Sequence, residues 1–225
     1  MKKGFFSCLL IAALMLLLSA GSVFAAENAN TGFYVGISGG YVIPSTLSIT
    51  PKDSDTGQFD ATLNNGFLVG VKGGWNAPFT NRIMALEMEY NYICNNFDNS
   101  KYIPQIDGTL DGTISVHALL FNVKARYPEG KFHPYAGAGL GWALVQVGDL
   151  TGTGGGVIKG DIGNAFCWQL LAGLDYDITP NIGLGIGYKY IASSPTIGSS
   201  NGGDKIYADV DYKASVVTLG LTYTF

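Results

Sequence analysis

The sequence predicts an all-β fold, an eight-stranded antiparallel transmembrane β-barrel of up-and-down connectivity, and three observations predict it. Eight segments alternate apolar with small or polar residues at the strand period of two. The connections between them alternate long and short. The apolar face is too bulky for the interior of a small barrel, so it must point outward. Composition agrees. Of 225 residues, 47% are hydrophobic and only 13% charged, with 32 glycines and 12% Phe, Tyr and Trp. Apolarity is therefore spread over aromatic-rich strands rather than gathered into a leucine-rich helix.

The chain opens on a stretch that does not belong to the barrel. Lys2 and Lys3 form a basic start, Leu9 to Leu18 an apolar run and Val23-Phe24-Ala25 a small-residue cleavage site, which together read as a secretory signal over residues 1–25. A membrane anchor helix is the alternative, but the run is shorter than the ~20 residues a span requires. Cys8 lies too near the start for a lipoprotein site. Residues 26–225 are then one barrel domain. Removing Lys2 and Lys3 from the 13 basic residues leaves 11 against 17 acidic ones, a formal charge of −6, which makes nucleic acid a poor partner.

The strands are expected, in order, over residues 31–43, 65–76, 83–93, 113–127, 132–145, 164–178, 182–192 and 212–225. Long connections begin at Pro44, Cys94, Gln146 and Ser193, and short turns fall at 77–82, 128–131 and 179–181. All long loops thus lie at one end. An even strand number with this asymmetry is the layout of a bacterial outer-membrane barrel, with both termini on the periplasmic, short-turn side.

The last strand shows the two faces most cleanly. Val217, Leu219, Leu221, Tyr223 and Phe225 share one face, and Thr218, Gly220, Thr222 and Thr224 the other. The seventh sets Ile182, Leu184, Ile186, Tyr188 and Tyr190 against Gly183, Gly185, Gly187 and Lys189. The sixth sets Phe166, Trp168, Leu170, Leu174, Tyr176 and Ile178 against Cys167, Gln169, Gly173, Asp175 and Asp177, and the fifth sets Leu140, Trp142 and Leu144 against Gly137, Gly139 and Gly141. A soluble barrel would bury the bulky face, but eight such faces would overfill it. In hydrocarbon a closed barrel satisfies every backbone group without an edge. The lumen is accordingly expected to hold glycines, threonines and balanced ions. Aromatic residues gather at both strand ends, including Phe33, Trp75, Tyr127, Phe132 and Tyr176 near the short turns and Tyr41, Phe67, Tyr90, Tyr92, Trp142, Trp168 and Tyr188 near the loops, as two interfacial girdles.

Several stretches carry a resemblance: Gly32-Phe33-Tyr34-Val35-Gly36, Ala85-Leu86-Glu87-Met88-Glu89-Tyr90, the run His133 to Gly141, Ala172-Gly173-Leu174-Asp175-Tyr176 and Thr179-Pro180-Asn181. In this order they resemble the OmpA-like and opacity-protein-like family of small outer-membrane barrels over essentially all of residues 26–225. The resemblance implies that Leu219, Leu221, Tyr223 and Phe225 form the C-terminal signal read by the barrel-assembly machinery. Larger members of that family append a peptidoglycan-binding domain after the barrel, and none is expected here, where the sequence stops at Phe225. Outer-membrane lipid and lipopolysaccharide are the expected surroundings.

Candidate chemistry lies inside the barrel, where Lys72, Glu87, Glu89, Lys124, Arg126, Asp175, Asp177 and Lys189 make four cations and four anions. Paired in this way they form a polar core, since an unpaired charge would be costly; a salt-bridge gate to a narrow pore is the sharper alternative. Carboxylates in a row also suit acid/base catalysis, but basic neighbours on both sides favour structural pairing. Ser115 and His117 share the lipid face, yet an acid to orient the imidazole is missing from adjacent strands. His133, beside a short turn, reads as an interface residue.

The loops carry Asp53, Asp55, Asp60, Asp98, Asp107, Asp111, Asp149, Asp161, Asp204, Asp209 and Asp211 against Lys52, Lys101, Lys159 and Lys205, a net −7. Asp53-Ser54-Asp55-Thr56-Gly57 starts like a calcium loop but lacks the glutamate at its twelfth position, and Gly152-Thr153-Gly154-Gly155-Gly156 lacks the ending of a phosphate loop. No metal or cofactor is expected. Cys94 and Cys167 fall on opposite faces with two strands between them, beyond bridging distance, so both thiols are expected to be free. The expected role is structural and surface-interactive without turnover. A narrow porin-like channel is the second reading and a lipid A-modifying enzyme the third.

Overall fold

The computed structural model describes residues 32–43, 45–52, 58–98, 100, 109–152, 157–158, 160–201 and 204–225. The expected signal, the Asp53 to Gly57 stretch and residues 153–156 of the glycine run lie outside the described residues. The strands are β1 (Phe33–Ile43), β2 (Ser45–Pro51), β3 (Phe59–Asn76), β4 (Met84–Phe97), β5 (Leu110–Asp111), β6 (Thr113–Arg126), β7 (Phe132–Val147), β8 (Leu150–Gly152), β9 (Val157–Ile158), β10 (Ile162–Asp177), β11 (Ile182–Ser193), β12 (Thr196–Asn201) and β13 (Asp204–Thr224). Eight of them, β1, β3, β4, β6, β7, β10, β11 and β13, are barrel staves, each antiparallel to its neighbours in sequence. β1 also pairs with β13, Tyr34 opposite Thr224 and Val42 opposite Val216. The ring is closed and up-and-down.

The short-turn end is tied tightly. Phe225 N–H donates to Phe33 O at 2.9 Å, bringing both ends of the described chain together. The first turn holds a 3-10 segment (Pro78–Thr80), after which Asn81 and Arg82 take left-handed φ values of 52° and 63°. Gly130, at φ 76°, supplies the same conformation in the second turn without a side-chain penalty.

The loop end departs from expectation. Much of the connection expected after Pro44 and after Ser193 is strand. β2 resumes the track of β1 and pairs with both β3 and β13, while β12 resumes that of β11 after Ser194 and Pro195 and pairs with β13. The period of two continues there: Leu47 and Val210 are buried beside Ser48, Asp209 and Asp211, which are not. β13 alone has 21 residues, about 70 Å of strand and roughly 50 Å of height at the usual barrel tilt, against an apolar band of ~25 Å. A wall of strand therefore rises past any membrane.

Apolar side chains ring the outside. Ile37, Leu219, Phe121 and Leu140 are each close to 60% exposed, at 58%, 60%, 62% and 59%. Burying such a surface in water is impossible without a partner, whereas acyl chains cover it. The girdles are in place too: at the short-turn end Phe33 stacks on Trp75, whose ring meets that of Phe79 at 5.8 Å, and Phe132 lies 4.8 Å from Tyr176. At the loop end Phe67 meets Tyr92, and Trp168 meets Tyr190 at 5.6 Å.

The lumen has two compartments, which corrects the expectation of glycines, threonines and ions throughout. Toward the short turns it is polar. Toward the loops it is filled by a cluster of fully buried apolar side chains that includes Val42, Leu47, Leu63, Leu68, Ile93, Ile114, Val116, Leu120, Val145, Ile191, Tyr212 and Val216. On six of the eight staves the change falls between Gly70 and Leu68, Asn91 and Ile93, Asn122 and Leu120, Gln169 and Cys167, Lys189 and Ile191, and Thr218 and Val216. In the raised wall the outer side faces water, so Asp211 and Lys213 point out and the inner side is apolar, as in any soluble sheet. The filling also reaches down behind the lipid-facing wall, where buried Leu68 and Leu120 stand between the outward Phe67, Val69, Leu119 and Phe121.

Candidate functional site

The polar compartment is built around two glutamates on consecutive inward positions of β4. Glu87 is 5% and Glu89 2% exposed. Glu87 Oε2 accepts from Tyr34 Oη at 2.9 Å and Lys124 Nζ at 2.9 Å, and its Oε1 accepts from Asn122 Nδ2 at 3.1 Å. Lys72 Nζ stands further off, 3.6 Å from the same Oε2. Glu89 pairs with Lys189 and also accepts from Gln169 Nε2 at 2.9 Å and Asn122 Nδ2 at 3.2 Å. Gln169 in turn donates to Asn122 Oδ1 at 2.6 Å. Six staves thus contribute to one network. The ammonium of Lys124 also lies over the ring of Tyr135, 4.8 Å from its centroid, a cation–π contact that adds to the ion pair.

Glycine makes this density possible. A Cβ at Gly74 would collide with the Tyr34 ring, and one at Gly139 with the Asn122 amide. The small inner face is thus the mould of the polar side chains beside it.

Nearer the short turns, Arg126 Nη2 is 3.9 Å from Asp177 Oδ1. His133 is buried inside the barrel, which corrects its reading as an interface residue. Its Nδ1 lies 2.8 Å from Tyr127 O and its Nε2 2.9 Å from Asp177 Oδ2. Both partners are acceptors, so the ring satisfies them when each nitrogen carries a hydrogen. The residue sits two positions before Tyr135 and four before Gly137 on the inward face of β7, so the period of two places it inside. Asp175 lines the same space as Lys72 and Lys124.

All eight charged residues of the expected interior therefore face the lumen, in two groups: Lys72, Glu87, Glu89, Lys124 and Lys189 in the network, and Arg126 and Asp177 at the mouth, with Asp175 between them. Tyr34, Asn122, Tyr135 and His133 are additional members, each legible from its inward register. Among the described residues, buried side-chain atoms without a partner are Nδ2 and Oδ1 of Asn91 and Oε1 of Gln169. All three lie at the boundary between the compartments, where polar residues meet apolar filling.

On the outer wall, His117 Nδ1 lies 2.7 Å from Tyr90 Oη, and the His117 ring is 5.0 Å from that of Tyr92. Ser115 Oγ contacts Tyr92 Oη at 3.4 Å and Cys94 Sγ at 3.9 Å. Cys94 and Cys167 are both free, the first on the outer face and the second buried within. Leu219, Leu221 and Tyr223 are exposed on the outer face of β13, followed by Phe225, whose ring meets Tyr223 at 5.1 Å.

The fold is similar to that of the outer membrane protein OprG from Pseudomonas aeruginosa, at 16% identity over 87% of this chain and 96% of that one, with a TM-score of 0.55. It is also similar to outer membrane protein AlkL in DMPC lipid bilayers, at 16% identity over 89% of this chain and 93% of that one, with a TM-score of 0.57. At such identities the likeness concerns the fold alone. Among curated proteins no relative matches the sequence. The profile of the outer membrane protein beta-barrel domain matches residues 10–225; the chain belongs to that family, as a β-barrel of the bacterial outer membrane.

Proposed function

We propose that this protein is a closed, non-catalytic barrel that contributes to envelope integrity and offers its acidic loop end as an interaction surface. The observation that carries this reading is the apolar filling of the loop-side lumen, because a dry plug of fully buried Leu, Ile and Val blocks passage of water and ions. Exposed Asp60, Asp111, Asp149, Asp161 and Asp211 give that end its acidic character, and loops on a rigid scaffold are where specificity resides. Lipid and lipopolysaccharide surround the wall, and the barrel-assembly machinery reads Leu219, Leu221, Tyr223 and Phe225 during insertion.

A pull-down with outer-surface extracts, comparing the intact protein with variants shortened between β2 and β3 and between β12 and β13, tests the reading. Loss of captured material on shortening supports it, and capture unaffected by every shortening overturns the surface role. The absence of turnover has its own check in mass spectrometry of lipid A from cells with and without the protein. A mass difference abolished by His117→Ala would establish an enzyme instead.

A further inference from the structure

The mouth of the lumen at the short-turn end is a cavity of about 100 Å³. It is lined by four cations, Lys72, Arg82, Lys124 and Arg126, against two carboxylates, Asp175 and Asp177. Lys124 is committed to Glu87, but two of the other cations are poorly served. The Lys72 side chain is only 13% exposed, and its ion pair at 3.6 Å is with a Glu87 oxygen that already accepts from Tyr34 and Lys124. The Arg126 side chain is 16% exposed, and its pairing at 3.9 Å is with Asp177, whose other oxygen is taken by His133. Neither Lys72 nor Arg126 donates a hydrogen bond within 3.5 Å to a described residue, although together they carry eight N–H donors. Largely buried cations with spare donors facing one cavity call for an acceptor there.

We propose that this mouth is a binding site for a small oxyanion, a carboxylate or phosphate group entering from the periplasm, held by Lys72 and Arg126. A planar guanidinium takes a carboxylate or phosphate through two parallel hydrogen bonds, and the ammonium adds a third from the deeper side. Thr222 and Asn181 on the same lining supply neutral polar groups. Asp175 opposes the anion, so it sets the affinity low and makes the site's sign testable. The deeper glutamate network and the apolar plug make the site a blind pocket.

The protein refolded in detergent micelles is titrated with inorganic phosphate and with acetate at fixed ionic strength, binding being read by calorimetry and folding by heat-modifiable gel migration. The wild type should bind saturably. Arg126→Gln should weaken binding at least 10-fold, and Asp175→Asn should strengthen it several-fold, a gain that a purely structural role for Asp175 does not produce. Gly183→Val keeps every charge and fills the mouth: a Cβ there meets nothing closer than 3.5 Å, so the variant should fold yet lose binding. If Arg126→Gln fails to fold, Gly183→Val and Asp175→Asn decide. Absence of saturable binding by the wild type, or binding that survives Gly183→Val, overturns the proposal. Phosphate without acetate, or the reverse, identifies which oxyanion the mouth accepts.

Discussion

Glu87 receives a hydrogen bond from each of Tyr34, Asn122 and Lys124, with Lys72 beside them. Its replacement by alanine leaves two cations facing each other in a space with little water. Breaking a buried pair on one side costs about 3–5 kcal/mol, because the partner's desolvation is no longer offset. Glu87→Ala should therefore lower stability by that order in urea-dependent unfolding from micelles, whereas the Glu87→Ala, Lys124→Met double variant should recover a measurable part. A single variant as stable as wild type would show that water or anions already screen the lysines. Such residues are legible because an inward charge in a lipid-spanning strand needs a partner, and both flanking strands carry basic residues on their inward faces. Asn91 and Gln169 are not legible as junction residues, since nothing in a one-dimensional pattern marks where one filling gives way to another inside the ring.

Along β13 the inward and outward faces exchange character within one unbroken strand. Val210, Tyr212, Ala214 and Val216 are buried while Asp211 and Lys213 point out; then Thr218 and Thr222 face inward while Val217, Leu219 and Leu221 point out. This inversion is written in Asp211-Tyr212-Lys213-Ala214-Ser215-Val216-Val217-Thr218, where two apolar residues in succession mark the crossing. Where β13 leaves the membrane, Asp209 accepts from Thr196 Oγ1 at 2.6 Å and lies 3.0 Å from Lys52. These hydrogen bonds hold its carboxyl below the ordinary aspartate range. A lowered folded value contributes stability above about pH 4, lost as the pH falls further. Protection factors of the Thr196 and Ile197 amides, corrected for the intrinsic exchange rate at each pH, should accordingly fall on acidification, and those of an Asp209→Asn variant should not. At the other end of the strand, deletion of Phe225 removes the terminal ring against Tyr223 and should reduce assembled protein in the outer membrane, read by cell fractionation. Normal insertion of the truncation would remove the terminus as an assembly signal.

The whole barrel places two barriers in series, a charged network and an apolar plug, and they fail in different ways. A charged constriction can open when its pairs rearrange, since the ions are attracted to water as well as to each other. A dry apolar plug opens only when side chains are removed or moved apart, because wetting it is itself unfavourable. Conductance therefore requires both to be breached. In planar bilayers the wild type and Glu87→Ala should both lack sustained openings, the second despite its disrupted network. Ile93→Ser with Leu120→Ser should admit water to the loop-side half yet remain quiet while the network is intact. All three substitutions together should give stable openings, provided that gel migration shows the barrel folded. Sustained opening with Glu87→Ala alone would mean that the plug is no barrier, and the protein would then be a gated channel.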